Sequence, residues 1–169
     1  MQNKLTKRLV LCGLFGAIVM VVTMLVRIPL PFISAGSYIN AGDAVIYAAA
    51  VVLGGPWGAA AAGIGSMLAD LLVGAAMYAP GTLVIKALMG LAVGLLAGRE
   101  SRWPRLLLAM SVGGVIMVAG YALYEAVLIG PAWLASVPYN LLQLAGGVAL
   151  GIPLTLAIRR AMTAVMKEW

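Results

Sequence analysis

The chain has 169 residues, 64% of them hydrophobic and 9% charged, with a formal net charge of +6 and a mean hydropathy of +1.09. Soluble domains run near half apolar and a quarter charged, so this composition excludes an ordinary water-soluble fold and describes an integral membrane protein. A single cysteine and no histidine argue against a disulfide framework, a zinc site and a histidine-based catalytic triad.

The first apolar run follows Lys4, Lys7 and Arg8, an order that a cleaved secretory signal shares. It continues to Val26, however, and about 18 apolar residues suffice to cross a bilayer. No small-x-small cleavage site follows closely, and Cys12 comes too early for a lipoprotein anchor. The run is read as a first helix over 9–26. Gly13 and Ala17, four apart with Gly16 beside them, give it a small-xxx-small face that lets another helix approach closely.

The second helix, 43–54, leaves the polar stretch SYINAGDAVIY at Asp43 and stops at Gly54-Gly55-Pro56, so it is short. The spacing predicts four more helices over 57–75, 81–97, 105–129 and 139–158, each an apolar run bounded by turn signals. Pro80, Pro104 and Pro138 fall just before or at helix starts, where a missing N–H does no harm. The Gly-Pro stop after the second helix also fits a broken hairpin of helices two and three.

Charge placement orients the spans. Lys4, Lys7 and Arg8 precede helix one; Arg99, Arg102 and Arg105 separate helices four and five; Arg159, Arg160 and Lys167 follow helix six. Six spans put these clusters on one side and leave only Arg27 on the other. Lysine and arginine accumulate on the cytoplasmic side, so both termini are expected inside the cell. The fold class read from the sequence is therefore an all-α integral membrane protein, one domain of six transmembrane helices, multi-pass in a cell membrane. The basic residues act as topology signals, and no nucleic-acid partner is implied.

Ionisable and amide side chains inside a membrane are costly and point to function. Here they share one depth, the outer half. Asp43 and Tyr47 open helix two, and Asp70 nears the outer end of helix three with Ser66 one turn below. Lys86 lies less than two turns into helix four. Helix five ends with Tyr121 and Glu125, an i,i+4 pair, and helix six begins with Tyr139, Asn140 and Gln143. The inner halves are rich in Gly, Ala, Leu and Val. An outward-opening polar pocket above an apolar inner half follows. Neutralisation of Lys86 by Asp70 or Glu125, amide capping of helix ends, and interfacial anchoring of Tyr78 or Trp133 are the structural alternatives.

No G-x-x-x-x-G-K-[ST] phosphate loop occurs, no histidine activates a serine, and no metal-ligand cluster or convincing internal repeat is present. The chain reads as a binding subunit, not an enzyme, that borrows energy elsewhere.

The stretch YINAGDAVIYAAAVVLGGPWGAAAAGIGSMLADLL, followed by YAPGTLVIKALMGLAVGLLAG and VPYNLLQ, resembles the substrate-binding S components of energy-coupling factor (ECF) vitamin transporters, in their riboflavin-transporter-type group. The similarity covers roughly residues 5 to 160. The G-D-A-V-I and A-P-x-T-L-x-I-K-x-L-M-G segments are its most specific parts. The resemblance implies a six-helix bundle in a prokaryotic plasma membrane, associated with a T component and two cytoplasmic ATPases. It further implies capture of a water-soluble vitamin near the external face. ATP would be used by those partners, with no cofactor in this chain. Gly13 and Ala17 stand where the family carries its A-x-x-x-A docking motif, with Gly in place of the first Ala.

Within that expectation, Lys86, Glu125 and Asn140 hydrogen-bond the ligand, and Asp43, Asp70 and Gln143 support them. Tyr47, Tyr78, Tyr121 and Trp133 stack on a flat ring, and the segments from Arg27 to Asn40 and from Gly130 to Val137 cover the pocket. Pyridoxine, hydroxymethylpyrimidine and riboflavin all remain compatible. A small proton-coupled transporter working through Asp70 or Glu125, and a structural or assembly protein, are the alternative functions.

Overall fold

A computed structural model describes residues 2–29 and 38–162. Six helices run through them: α1 (Gln2–Leu25), α2 (Gly42–Leu53), α3 (Gly55–Leu72), α4 (Ala79–Leu96), α5 (Trp103–Ile129) and α6 (Val137–Ala161). Two additions depart from a purely α-helical reading. A two-stranded antiparallel ribbon, β1 (Arg27–Pro29) and β2 (Tyr38–Asn40), pairs Arg27 with Asn40 between α1 and α2, and a short 3-10 helix, Gly130–Ala135, joins α5 to α6. The middle of the expected covering segment, residues 30–37, and the basic Lys167 lie outside the described residues.

Boundaries follow local chemistry. Pro80, Pro104 and Pro138 sit in the first turns of α4, α5 and α6, where no i−4 partner is lost. The chain breaks between α2 and α3 at Gly54, whose φ of 86° lies in the region that glycine adopts without a Cβ penalty. α1 begins at Gln2 rather than 9, because Lys4, Lys7 and Arg8 carry on the helix beyond the apolar run.

Among the described residues, four helices are long and apolar enough to cross a membrane: Lys4–Leu25, Ala79–Leu96, Trp103–Leu128 and Val137–Ala161. Helix α2 is different in kind. At 1.5 Å per residue its 12 residues reach about 18 Å, short of a hydrocarbon layer of about 30 Å. Every residue in it is buried, with α1, α3, α4 and α6 packed around it. Ile46, Tyr47 and Val51 meet Val19, Met89, Val93, Leu106, Met110 and Met117 in the central core.

Small residues make this crowding feasible. A Cβ on Gly58 of α3 would stand 2.6 Å from the Ala50 Cα of α2, and one on Gly90 of α4 would stand 2.9 Å from the Gly58 carbonyl. The outer surface is the reverse of a soluble protein's: Leu9, Val10, Leu95, Leu108, Leu123 and Val127 are all exposed, as suits a lipid environment. Gly13 and Ala17 lie on the exposed side of α1, and nothing stands within 4 Å of a Cβ built on Gly13.

Arg8, Arg99, Arg105 and Arg159 gather at one end. Arg99 Nε donates to the Val52 carbonyl (3.0 Å), Arg105 Nε to the Leu96 carbonyl (2.7 Å) and Arg159 Nη1 to the Ser101 carbonyl (2.8 Å). Partial burial, and then the neighbouring Arg8, push the Arg99 guanidinium down from its ordinary value. The N-terminal turns of α1 and the turn between α4 and α5 therefore share that end.

Candidate functional site

At the opposite end lies a cavity of about 260 Å³. Its walls come from Thr23 of α1, Asn40 of β2, Asp70 of α3, Tyr78 and Thr82 at the entry to α4, and Tyr121 about two turns inside α5, with Ala69, Val73 and Ala75 completing it. The Thr82 and Tyr121 hydroxyls are 3.0 Å apart and share a hydrogen bond. Asp70 keeps one oxygen, Oδ2, buried and without a hydrogen-bond partner among the described residues. Burial first, and then Glu125 and Tyr124, push the Tyr78 phenol up from its ordinary value, so at neutral pH it stays protonated and able to donate.

Beside the cavity runs a connected polar network. Lys86 Nζ of α4 donates to Asp43 Oδ1 of α2 at 2.5 Å, with both side chains almost wholly buried. The same ammonium lies 5.5 Å from the centroid of the Tyr121 ring, within cation–π range. Gln143 Nε2 of α6 donates to Asp43 Oδ2 (3.1 Å), while Gln143 Oε1 accepts from the Asn40 backbone N–H (2.9 Å). Asn40 then turns its own side chain inward: Nδ2 donates to the Thr23 carbonyl (3.1 Å) and Oδ1 accepts from the Gly42 N–H (2.6 Å). Glycine is required at 42 because a Cβ there would strike Thr23 and stand 2.8 Å from Asn40 Oδ1. One hydrogen-bonded path thus joins the ribbon, α2, α4 and α6.

Sequence reasoning named Asp70, Tyr121, Tyr78 and Asn40, and these four line the cavity. Asp43, Lys86 and Gln143 come together next to it, in contact with one another rather than as cavity lining. Tyr47 is fully buried in the core against Gly147 and Gly151 of α6. Glu125 is buried and accepts from the Ser136 hydroxyl. Asn140 sits in the first turns of α6, its N–H bonded to the Ser136 carbonyl. Trp133 belongs to the 3-10 helix, and its side chain lies outside the described part of the structure. Thr23 and Thr82 were missed. Thr82 precedes Lys86 by four residues and so shares its helical face, a signal that was available.

Among the described residues the Tyr47 hydroxyl has no hydrogen-bond partner although it is buried. An unsatisfied buried hydroxyl costs about 1–3 kcal/mol. Tyr47→Phe is therefore expected to leave the melting temperature in detergent unchanged or raise it; a fall of several degrees would show that the hydroxyl is satisfied after all.

The family described as ECF-type riboflavin transporter, S component, matches residues 3–160 of the chain. An "uncharacterized protein in gap 3'region" of Pyrococcus woesei is 40% identical over 134 residues, 79% of this chain and 88% of that protein. The thiamine precursor transporter HmpT of Lactococcus lactis subsp. cremoris is 29% identical over 163 residues, 95% of this chain and 92% of that protein.

Proposed function

Because the chain belongs to the ECF-type riboflavin transporter S component family, and so to a class of multi-pass membrane transporter components rather than of enzymes, we propose that it captures a water-soluble vitamin or vitamin precursor for import. In this reading it spans a prokaryotic plasma membrane six times as one domain, with both termini in the cytoplasm. It works with a T component and two ATPases that supply the energy. The observation that carries the reading is the placement of the cavity. It opens among the loops at the end of the bundle away from the arginine clusters, and lysine and arginine mark the cytoplasmic side. The cavity therefore faces outward.

Asp70, Asn40, Tyr78, Tyr121, Thr23 and Thr82 contact the ligand in this proposal, while Asp43, Lys86 and Gln143 hold Asn40 and Tyr121 in place. Gly13 and Ala17, on the open side of α1, dock the T component. The relative named as a thiamine precursor transporter favours a small heteroaromatic cargo.

The test is reconstitution. Vesicles containing this chain alone should bind vitamin without accumulating it, and accumulation should appear only when a T component and ATPases are added with ATP. Uptake by the chain alone, driven by a proton gradient, would replace this reading with the proton-coupled one.

A further inference from the structure

The turn between α4 and α5, residues 97–102, gathers arginines from three separate helices at the end away from the cavity. Arg99 of the turn sets its Nε against the Val52 carbonyl in the last turn of α2 (3.0 Å), where the negative end of a helix dipole favours a cation. Arg105 of α5 reaches back to the Leu96 carbonyl (2.7 Å), and Arg159 of α6 reaches the Ser101 carbonyl (2.8 Å). Arg8 of α1 is a neighbour of Arg99. Orienting a chain in a membrane needs only basic residues near the ends of its spans. It does not need them anchored around one turn from positions as far apart as 8 and 159.

The charge at this end is far from balanced. The start of α1, the turn with the start of α5, and the end of α6 hold eight basic side chains. Of the five acidic side chains in the sequence, Asp43, Asp70 and Glu125 lie toward the other end. That leaves Glu100 and, outside the described residues, Glu168. Whichever pairs those two make, at least six basic side chains are in excess over acidic ones. Exposed apolar residues adjoin the basic ones along the same helices: Leu9 after Arg8, Leu95 before Arg99, and Trp103 and Leu108 after Arg102.

We propose that this end binds anionic phospholipids, with the arginines around the 97–102 turn receiving the phosphate headgroups and the adjoining apolar residues meeting the acyl chains. The inference is independent of what the chain carries.

A guanidinium presents a planar fork of N–H donors that matches phosphate oxygens. An arginine already held by a backbone carbonyl loses less side-chain freedom on meeting an anion. An anionic leaflet attracts every basic residue near its surface, and Trp103, exposed at the start of a long apolar helix, sits where aromatic residues mark headgroup depth. A lipid combines an anion and hydrocarbon in one molecule, as this basic-to-apolar boundary requires. A soluble phosphate or an acidic peptide would meet only the basic half.

The experiment is native mass spectrometry of the purified, delipidated full chain offered equal amounts of phosphatidylglycerol and phosphatidylcholine. The wild-type chain should retain phosphatidylglycerol at least tenfold over phosphatidylcholine at low salt, and the preference should shrink as salt screens the charges. Arg8→Gln/Arg102→Gln removes two exposed charges, leaves the carbonyl contacts of Arg99, Arg105 and Arg159 in place, and should lower the preference at least threefold. Arg27→Gln, in the ribbon at the opposite end, should change it less than twofold. Equal retention of the two lipids by the wild-type chain overturns the inference, and that arm depends on no variant folding. An unchanged preference in a monodisperse Arg8→Gln/Arg102→Gln protein overturns it, as does an Arg27→Gln effect of the same size. Displacement of the lipid by an equal concentration of glycerol 3-phosphate would assign the site to soluble phosphates, and displacement by hexaglutamate to an acidic protein; either result overturns it too.

Discussion

Replacing Lys86 with methionine is expected to cost the folded protein about 3–5 kcal/mol, the penalty for leaving one member of a buried ion pair without its partner. Asp43 and Lys86 are both almost completely buried and 2.5 Å apart, and methionine preserves most of the lysine stem. The loss therefore comes from the uncompensated Asp43 carboxylate, which retains only Gln143 Nε2 among its side-chain partners here. A buried pair is itself no great source of stability, since desolvation offsets most of the attraction. The double variant Asp43→Asn/Lys86→Met should accordingly recover most of what the single variant loses. Thermal melting of the detergent-solubilised proteins reads both effects. A Lys86→Met protein that melts within a degree or two of wild type would show that the pair is solvated or otherwise compensated.

That pair also marks how far the sequence could be read. Polarity at a common depth was visible in the linear pattern, and it singled out Asp70 and Tyr121, which line the cavity, because depth follows from counting residues inward from a helix end. Rotation about each helix axis does not follow from counting. Glu125 shares the depth of Tyr121 but turns toward Ser136, and Lys86 reaches Asp43 rather than Asp70 or Glu125 because α2, the shortest helix, occupies the middle of the bundle. The helix boundaries were legible at Pro80, Pro104, Pro138 and Gly54, where one residue type dictates the backbone. The ribbon was not. Three-residue strands ending in Pro29 carry no alternation to detect, and their pairing depends on tertiary support from Asn40 and Gln143.

Gly58→Leu is expected to be the most damaging substitution of a small residue. Its Cβ would fall 2.6 Å from the Ala50 Cα, and the Gly58 carbonyl already lies against Gly90, so α2, α3 and α4 would all have to separate. Overpacking a well-filled interior typically costs about 1–3 kcal/mol when side chains can move aside. Here the obstacle is backbone, so the cost should reach or exceed the top of that range. Gly13→Leu adds the same bulk to an open surface and should change stability by no more than about 0.5 kcal/mol. Melting curves and gel-filtration profiles of the two variants make the comparison. Equal behaviour would mean that the three helices do not meet at Gly58 as described.

The enclosure of α2 bears on how the chain is made. A helix with no surface left for lipid gains nothing from partitioning into the bilayer by itself, and its Asp43 would be exposed to hydrocarbon until Lys86 arrives. Gln143, which lies 100 positions later, and Gly147 and Gly151, which receive Tyr47, belong to α6, the last of the described helices to be synthesised. Assembly therefore cannot finish span by span as the ribosome advances. The second helix must wait in a sheltered, incomplete setting until the sixth is released to close over it.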